Sequence, residues 1–353
     1  MVALLTRALL CWLCVFELVA RWRGWRGLAW SRGSVGTIWL LLFGSAAGIR
    51  SRGFVIAGCL LITLPLAVVL QLFGASLRNR AIDPRRRLQP GEHDEYRVEA
   101  LQLTMPDGFV PGLLLIPHAP TDAAVCVLHG AGDHKAAYTW WLADTLLAQG
   151  LAVLLIDLDG HGENPRTQRY PDTIDDVTVA VEWLRRHYAR VGVLGISLGG
   201  CISARAAADG TPIDALVVLE APPLLHFTKA DMSREALALA QWPLLDLFCD
   251  CTVEHLVQAW STTPTRTAIS TWDLIAKLDL LGSLPKIATP LLLVYGGRDA
   301  IVKPAQAEQV RQAAPAHAAF HMIPSASHLT MILDRGALQL VANWLREQLI
   351  TST

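Results

Sequence analysis

Apolar positions along the chain change their pattern at about residue 80. Before it, three long apolar runs occupy residues 2–20, 34–49 and 54–77. The third carries no charged residue and is long enough, as a helix, to cross about 30 Å of hydrocarbon. Arg7 and Glu17 interrupt the first run, but both lie towards its ends, where long side chains snorkel. From about Gly91 the texture is that of a folded domain. Apolar stretches at 96–105 and 110–116 flank Pro106-Asp107-Gly108 and predict a β-hairpin. Short apolar runs then recur at 124–128, 152–156, 191–195, 215–219, 291–295 and 319–323. Helical periodicity fills the intervals 137–149, 174–188, 198–208, 304–313 and 329–349. Such alternation predicts a mostly parallel sheet of about eight strands, covered by helices on both faces.

One interval is far too long for a single connection. Some seventy residues separate Leu219 from Leu291, with amphipathic stretches near 235–248, 253–260 and 272–281. They predict a helical lid inserted over the carboxyl ends of the strands, about 222–285. The expected organisation is a membrane anchor of one to three transmembrane helices over 1–80 and an α/β domain over 91–353.

Charge orients the anchor. Arg21, Arg23, Arg26 and Arg32 follow the first run, Arg50 and Arg52 the second, and Arg78, Arg80, Arg85, Arg86 and Arg87 the third. The excess of Arg after the last span predicts a cytoplasmic face for the C-terminal domain. No positive charge precedes the first apolar residues, as a cleaved signal peptide would require. The alternative is an interfacial hairpin that enters the bilayer without crossing it.

Composition adds little. The chain of 353 residues is 52% apolar and 17% charged, with a formal net charge of −1. Its C-terminal part lacks the basic stripe with interleaved aromatics that a nucleic-acid partner requires. Seven cysteines at irregular spacing argue against a disulfide framework and weakly favour a reducing compartment.

The chemistry concentrates at four places. Gly195-Ile196-Ser197-Leu198-Gly199-Gly200 lies between an apolar strand and a small-residue helix. A sharp strand-to-helix turn of this kind lifts a serine hydroxyl into the cleft, and Ser197 is the expected nucleophile. A hydroxyl needs a positioned base. His328, in the loop after the last strand, occupies the place for that base, and Asp299, in Gly296-Gly297-Arg298-Asp299, the place for the acid that orients it. Leu128-His129-Gly130-Ala131-Gly132-Asp133-His134 follows the 124–128 strand. The backbone N–H groups of Ala131 and Leu198 are the expected oxyanion donors. His129 is expected to support this loop, and His134 either to begin a helix or to line the cleft. Asp157, Asp159, His161 and Glu163 are loosely spaced like metal ligands, but a structural turn with carboxylates bonded to backbone amides accounts for them better.

The run from His129 through His134 to Tyr138 resembles the oxyanion loop of monoacylglycerol lipases and their bacterial lysophospholipase-like, serine aminopeptidase-like relatives. Asp157 to Glu163, the Ser197 turn, the Asp299 segment and the His328 segment match in the same order. The resemblance covers about 96–349 and is weakest in the lid. It implies an α/β-hydrolase fold and a serine hydrolase without cofactor or metal. Catalysis would run through Ser197, Asp299 and His328, with Ala131 and Leu198 holding the oxyanion. An apolar lid and a membrane anchor point to an ester substrate with a hydrophobic, lipid-like acyl group. The alternatives are a peptidase, thioesterase or acyltransferase of the same fold, or a catalytically silent membrane-tethered binding protein.

Overall fold

The computed structural model describes residues 88–136, 139–235 and 266–350, with isolated positions among the first 66 and Ala238. The three N-terminal apolar runs fall almost wholly outside the described residues, as do the stretches 253–260 and most of 235–248. Among the described residues no helix is long and apolar enough to cross a membrane.

The described domain is built on one nine-stranded sheet. Its strands are β1 (Gly91–Glu92), β2 (Tyr96–Met105), β3 (Gly108–Pro117), β4 (Ala123–Leu128), β5 (Ala152–Ile156), β6 (Arg190–Ile196), β7 (Ala215–Leu219), β8 (Leu291–Gly296) and β9 (Ala319–Ile323). The spatial order is β1-β2-β3-β5-β4-β6-β7-β8-β9. Pairing is antiparallel from β1 to β5 and parallel from there to β9. The expected eight strands become nine because Gly91 and Glu92 pair with Val98 and Arg97 at the edge, too short a run to leave an apolar signature.

Burial follows the pairing. In β2, next to the edge, the alternation of inward and solvated side chains is visible, with Val98 and Leu103 buried and Arg97 exposed. Strands β4, β5, β7 and β8 are buried at every position, as strands covered on both faces must be. Each fully buried Leu, Ile or Val there contributes about 1.5–3 kcal/mol relative to exposure.

Helices α1 (Thr139–Leu147), α2 (Asp175–Arg185), α3 (Leu198–Ala208), α4 (Thr271–Leu278), α5 (Leu280–Ser283), α6 (Pro304–Ala313) and α7 (Arg335–Leu349) cover the sheet. α1 and α7 pack together on one face, and α2 and α3 together on the other. The last helix begins six residues later than its periodicity predicts. Asp334 caps it by accepting a hydrogen bond from Ala337 N at 2.9 Å, and Ser327 and Thr330 close a separate turn before it. The stretch 271–283, assigned by sequence to the lid, is part of the helical layer. α4 and α5 pack on α3, burying Leu274, Ile275, Leu278 and Leu280 in the main core.

The strand order decides where a site can form. The chain leaves β4 for β5 on one side and returns to β6 on the other. Their carboxyl-end loops therefore diverge and open a crevice between them. The loop after β4 carries His129 to His134, and the turn after β6 carries Ser197.

Candidate active site

Ser197 occupies a strained turn. It is one of three described non-glycine residues with positive φ, at φ 50 and ψ −111. The bend leaves no room for side chains around it. A Cβ on Gly195 would stand 2.3 Å from the carbonyl oxygen of Gly199, and one on Gly199 2.7 Å from that of His129. These glycines let α3 start directly against the ends of β6 and β4. Leu198 is the first residue of α3, and its N–H, like all first-turn amides, has no acceptor four residues back.

His328 Nε2 lies 3.1 Å from Ser197 Oγ, and its Nδ1 lies 2.8 Å from Asp299 Oδ2. Asp299 is itself held: Oδ1 accepts from Ile301 N at 2.7 Å and Val302 N at 2.6 Å. Serine, histidine and aspartate thus form one hydrogen-bonded chain drawn from the loops after β6, β9 and β8. Burial would push the His328 imidazole down, but the charge and hydrogen bond of Asp299, with Glu235 and Asp133 nearby, outweigh it and hold it above the usual histidine value. A base in this state gains its proton readily.

The loop after β4 closes one wall. A Cβ on Gly130 would lie 3.6 Å from Ser197 Cβ and 3.3 Å from Asp133 Oδ2, so the loop backbone passes directly beside the hydroxyl-bearing residue. Ala131 follows in that loop. Burial pushes the Asp133 carboxyl up to about 8, tempered by the His328 charge. His129 is buried, and backbone takes both its ring nitrogens. Nδ1 donates to Gly130 O at 2.7 Å, and Nε2 accepts from Leu158 N at 3.1 Å. Burial, then the His161 charge, lowers His129 to about 3. It is a neutral strut between the loops after β4 and β5.

The carboxylates after β5 are taken up in the same way. Asp157 accepts from Lys135 N at 2.7 Å, Lys135 Nζ at 2.6 Å and Glu163 N at 2.8 Å. Arg166 Nη1 lies 3.1 Å from Asp159 and 2.7 Å from Asp176. The turn is stapled by backbone amides and buried cations.

Two carboxylates were not singled out by sequence. Glu235, buried in the described start of the insertion, accepts from Ala300 N at 2.7 Å and from Leu329 N at 3.1 Å. It ties together the loops that carry Asp299 and His328. Nothing in the sequence signals this, because an acid at the start of an amphipathic stretch reads as solvated. Glu220 follows β7 directly, is 1% exposed, and has Oε2 3.9 Å from His328 Nδ1. Its position at the carboxyl end of a parallel strand was the available signal.

Sheet order, the strained serine turn and the placement of the loops define the α/β-hydrolase fold. Among families, the model described as "Serine aminopeptidase, S33" matches residues 119–273. Two uncharacterized proteins from two strains of Mycobacterium tuberculosis are each 28% identical over 232 residues, covering 63% of this chain and 69% of theirs. Among solved structures, an esterase of Pyrococcus furiosus superposes with TM-score 0.52 at 20% identity, covering 72% of this chain and 91% of its own. An esterase of Exiguobacterium antarcticum gives 0.53 at 16% identity, with 70% and 100% covered. DcsB in complex with its substrate analogue gives 0.56 at 17% identity, with 71% and 100% covered.

Proposed function

We propose that the protein is a serine hydrolase that cleaves carboxylic esters with a hydrophobic acyl group. The observation that carries this reading is the continuous hydrogen-bonded chain Ser197 Oγ, His328, Asp299, with spans of 3.1 Å and 2.8 Å. Ser197 attacks the carbonyl carbon while His328 Nε2 takes its proton, and Asp299 steadies the imidazolium that forms. The N–H groups of Leu198 and Ala131 receive the developing oxyanion. His328 then protonates the leaving alcohol, the acyl group stays on Ser197 Oγ, and a water deprotonated by His328 releases the acid and restores the serine.

Esterases among the structural neighbours, and the apolar insertion after β7, support an ester with an apolar acyl group. The N-terminal apolar runs support a bilayer-associated protein with its domain on the cytoplasmic side. The family description favours a second reading, hydrolysis of an amino-terminal peptide bond. A fluorophosphonate probe tests the chemistry: wild type is expected to label and Ser197→Ala not to. Equal labelling of the two, or none of the folded wild type, would refute the proposal. Rates on p-nitrophenyl esters of increasing chain length, monoacylglycerols and amino-acid anilides then separate ester from amide cleavage. Membrane fractionation of the full chain tests the anchor.

A further inference from the structure

Glu220 retains two energetic costs at one residue. Its backbone sits at φ 53, a strained conformation for a non-glycine residue. Its side chain is 1% exposed, and Oε1 has no hydrogen-bond partner among the described residues. Neither cost is needed to end a strand, since Glu220 N already donates to Val294 O at 2.9 Å. The turn instead aims the carboxyl at the site. A carboxylate oxygen of Glu220, one of Asp299 and a ring nitrogen of His328 all lie within 4.8 Å of one another. Room for Glu220 is kept by Gly296, where a Cβ would stand 2.9 Å from Oε1.

Two carboxyl groups this close in a dry site do not both ionise. Asp299 carries the donors that suit the ionised form, two backbone N–H groups and the imidazole. Glu220 has none of these. Burial, followed by the charges of Asp299 and Glu235, raises its carboxyl well above the usual range. The proton of the pair therefore resides on Glu220, which donates it towards Asp299.

We propose that Glu220 is a second, normally protonated orienting acid of the site, poised 3.9 Å from His328 Nδ1 to take over the imidazole when the Asp299 charge is withdrawn. It is a positioning residue, acting through His328 and never touching substrate. The inference rests on the hydrolase reading. When Asp299 is neutralised, Glu220 gives its proton to solvent and accepts the Nδ1 hydrogen, so the base keeps its tautomer. Asp299, His328, Glu235 and Tyr295 face Glu220, and Asp133 faces His328 from the loop after β4.

The test compares Glu220→Gln, Asp299→Ala and their double variant in full-length protein, by kcat/KM on a p-nitrophenyl ester and by fluorophosphonate labelling rate. Glu220→Gln keeps a neutral donor but cannot ionise, and it is the single-variant reference against which the double variant is read. Asp299→Ala is expected to lose roughly 100-fold, against the roughly 10⁴-fold loss where no second acid stands by. Its remaining activity rises with pH as Glu220 ionises. The double variant is expected to lose a further 100-fold or so, and the rising limb with it. A double variant as active as Asp299→Ala overturns the proposal. Infrared difference spectra provide a readout independent of turnover. Asp133 also keeps a proton, so the readout is the wild-type minus Glu220→Gln difference: the loss of one buried protonated-carboxyl band is expected, and an unchanged protonated-carboxyl region overturns the proposal. Should Ser197→Ala or His328→Ala turn over ester like wild type, the hydrolase reading itself fails, whatever Glu220 does.

Discussion

Replacing Glu235 with alanine is expected to damage both fold and site, although no part of Glu235 belongs to the Ser197–His328–Asp299 chain. Its carboxylate holds Ala300 N and Leu329 N at 2.7 and 3.1 Å, and these residues directly follow Asp299 and His328. Hydrogen bonds to a charged group contribute about 1.5–3 kcal/mol each, so two of them give about 3–6 kcal/mol if both N–H groups stay dry. Water admitted into the space of the lost side chain returns part of this, which leaves an expected loss of about 2–4 kcal/mol. The functional effect follows from geometry. Once the two loops are untied, the 2.8 Å contact between His328 and Asp299 is no longer fixed. A displacement of about 1 Å costs on the order of 100-fold in rate. Urea denaturation followed by tryptophan fluorescence reads the first effect, and the fluorophosphonate labelling rate the second. Glu235→Gln keeps one acceptor and is expected to fall between wild type and Glu235→Ala on both axes. An unchanged midpoint together with labelling within twofold of wild type would show that this clamp does nothing.

The remaining expectations concern pH, packing and a buried cation. The acid limb of kcat/KM is expected to turn above the ordinary histidine value of 6.5, because His328 must be neutral to act and its folded-state value is raised; a limb at or below 6.5 in wild type would refute this. The sign for stability is opposite: the charged His328 contributes fully below its unfolded value, and the contribution is lost as pH rises through the folded one. Gly199→Ala puts a methyl 2.7 Å from His129 O and Leu128 O, and is expected to cost about 1–3 kcal/mol by denaturation and most of the labelling rate. Arg166→Met removes the cation shared by buried Asp159 and Asp176, and is expected to cost about 3–5 kcal/mol in urea. Wild-type stability in that variant would remove the ion cluster as the staple of the loop after β5.

The sheet and its covering were legible because each buried strand is a short apolar run closed by a turn residue. β5, β7 and β9 fall where the runs end, and α3 and α6 where the periodicity does. Helix starts were less legible. At α7 a side-chain cap on Asp334 overrides an apolar pattern that begins at Leu329. The boundary of the insertion was misplaced because an amphipathic helix shows that one face is buried but not against what. Trp272 is 48% exposed while Leu274 and Leu278 meet α3. Within the site, Ser197, Asp299 and His328 could be picked out by loop and order. Glu235 could not, since its meaning comes from backbone N–H groups 65 and 94 residues away.

That sequence distance also governs when the site comes into being. Ser197 and His328 are 131 residues apart, and β7, β8 and β9 must add to the sheet in turn before they meet. Contacts of such separation are slow to form, because the chain entropy of the intervening segment is lost first. A nascent or proteolysed chain ending before β8 would hold a complete serine turn and the loop after β4, yet lack both its acid and its base. On the proposed reading, the Ser197 hydroxyl has no base beside it until the last edge of the sheet has docked, so a partly folded chain would carry no activated nucleophile.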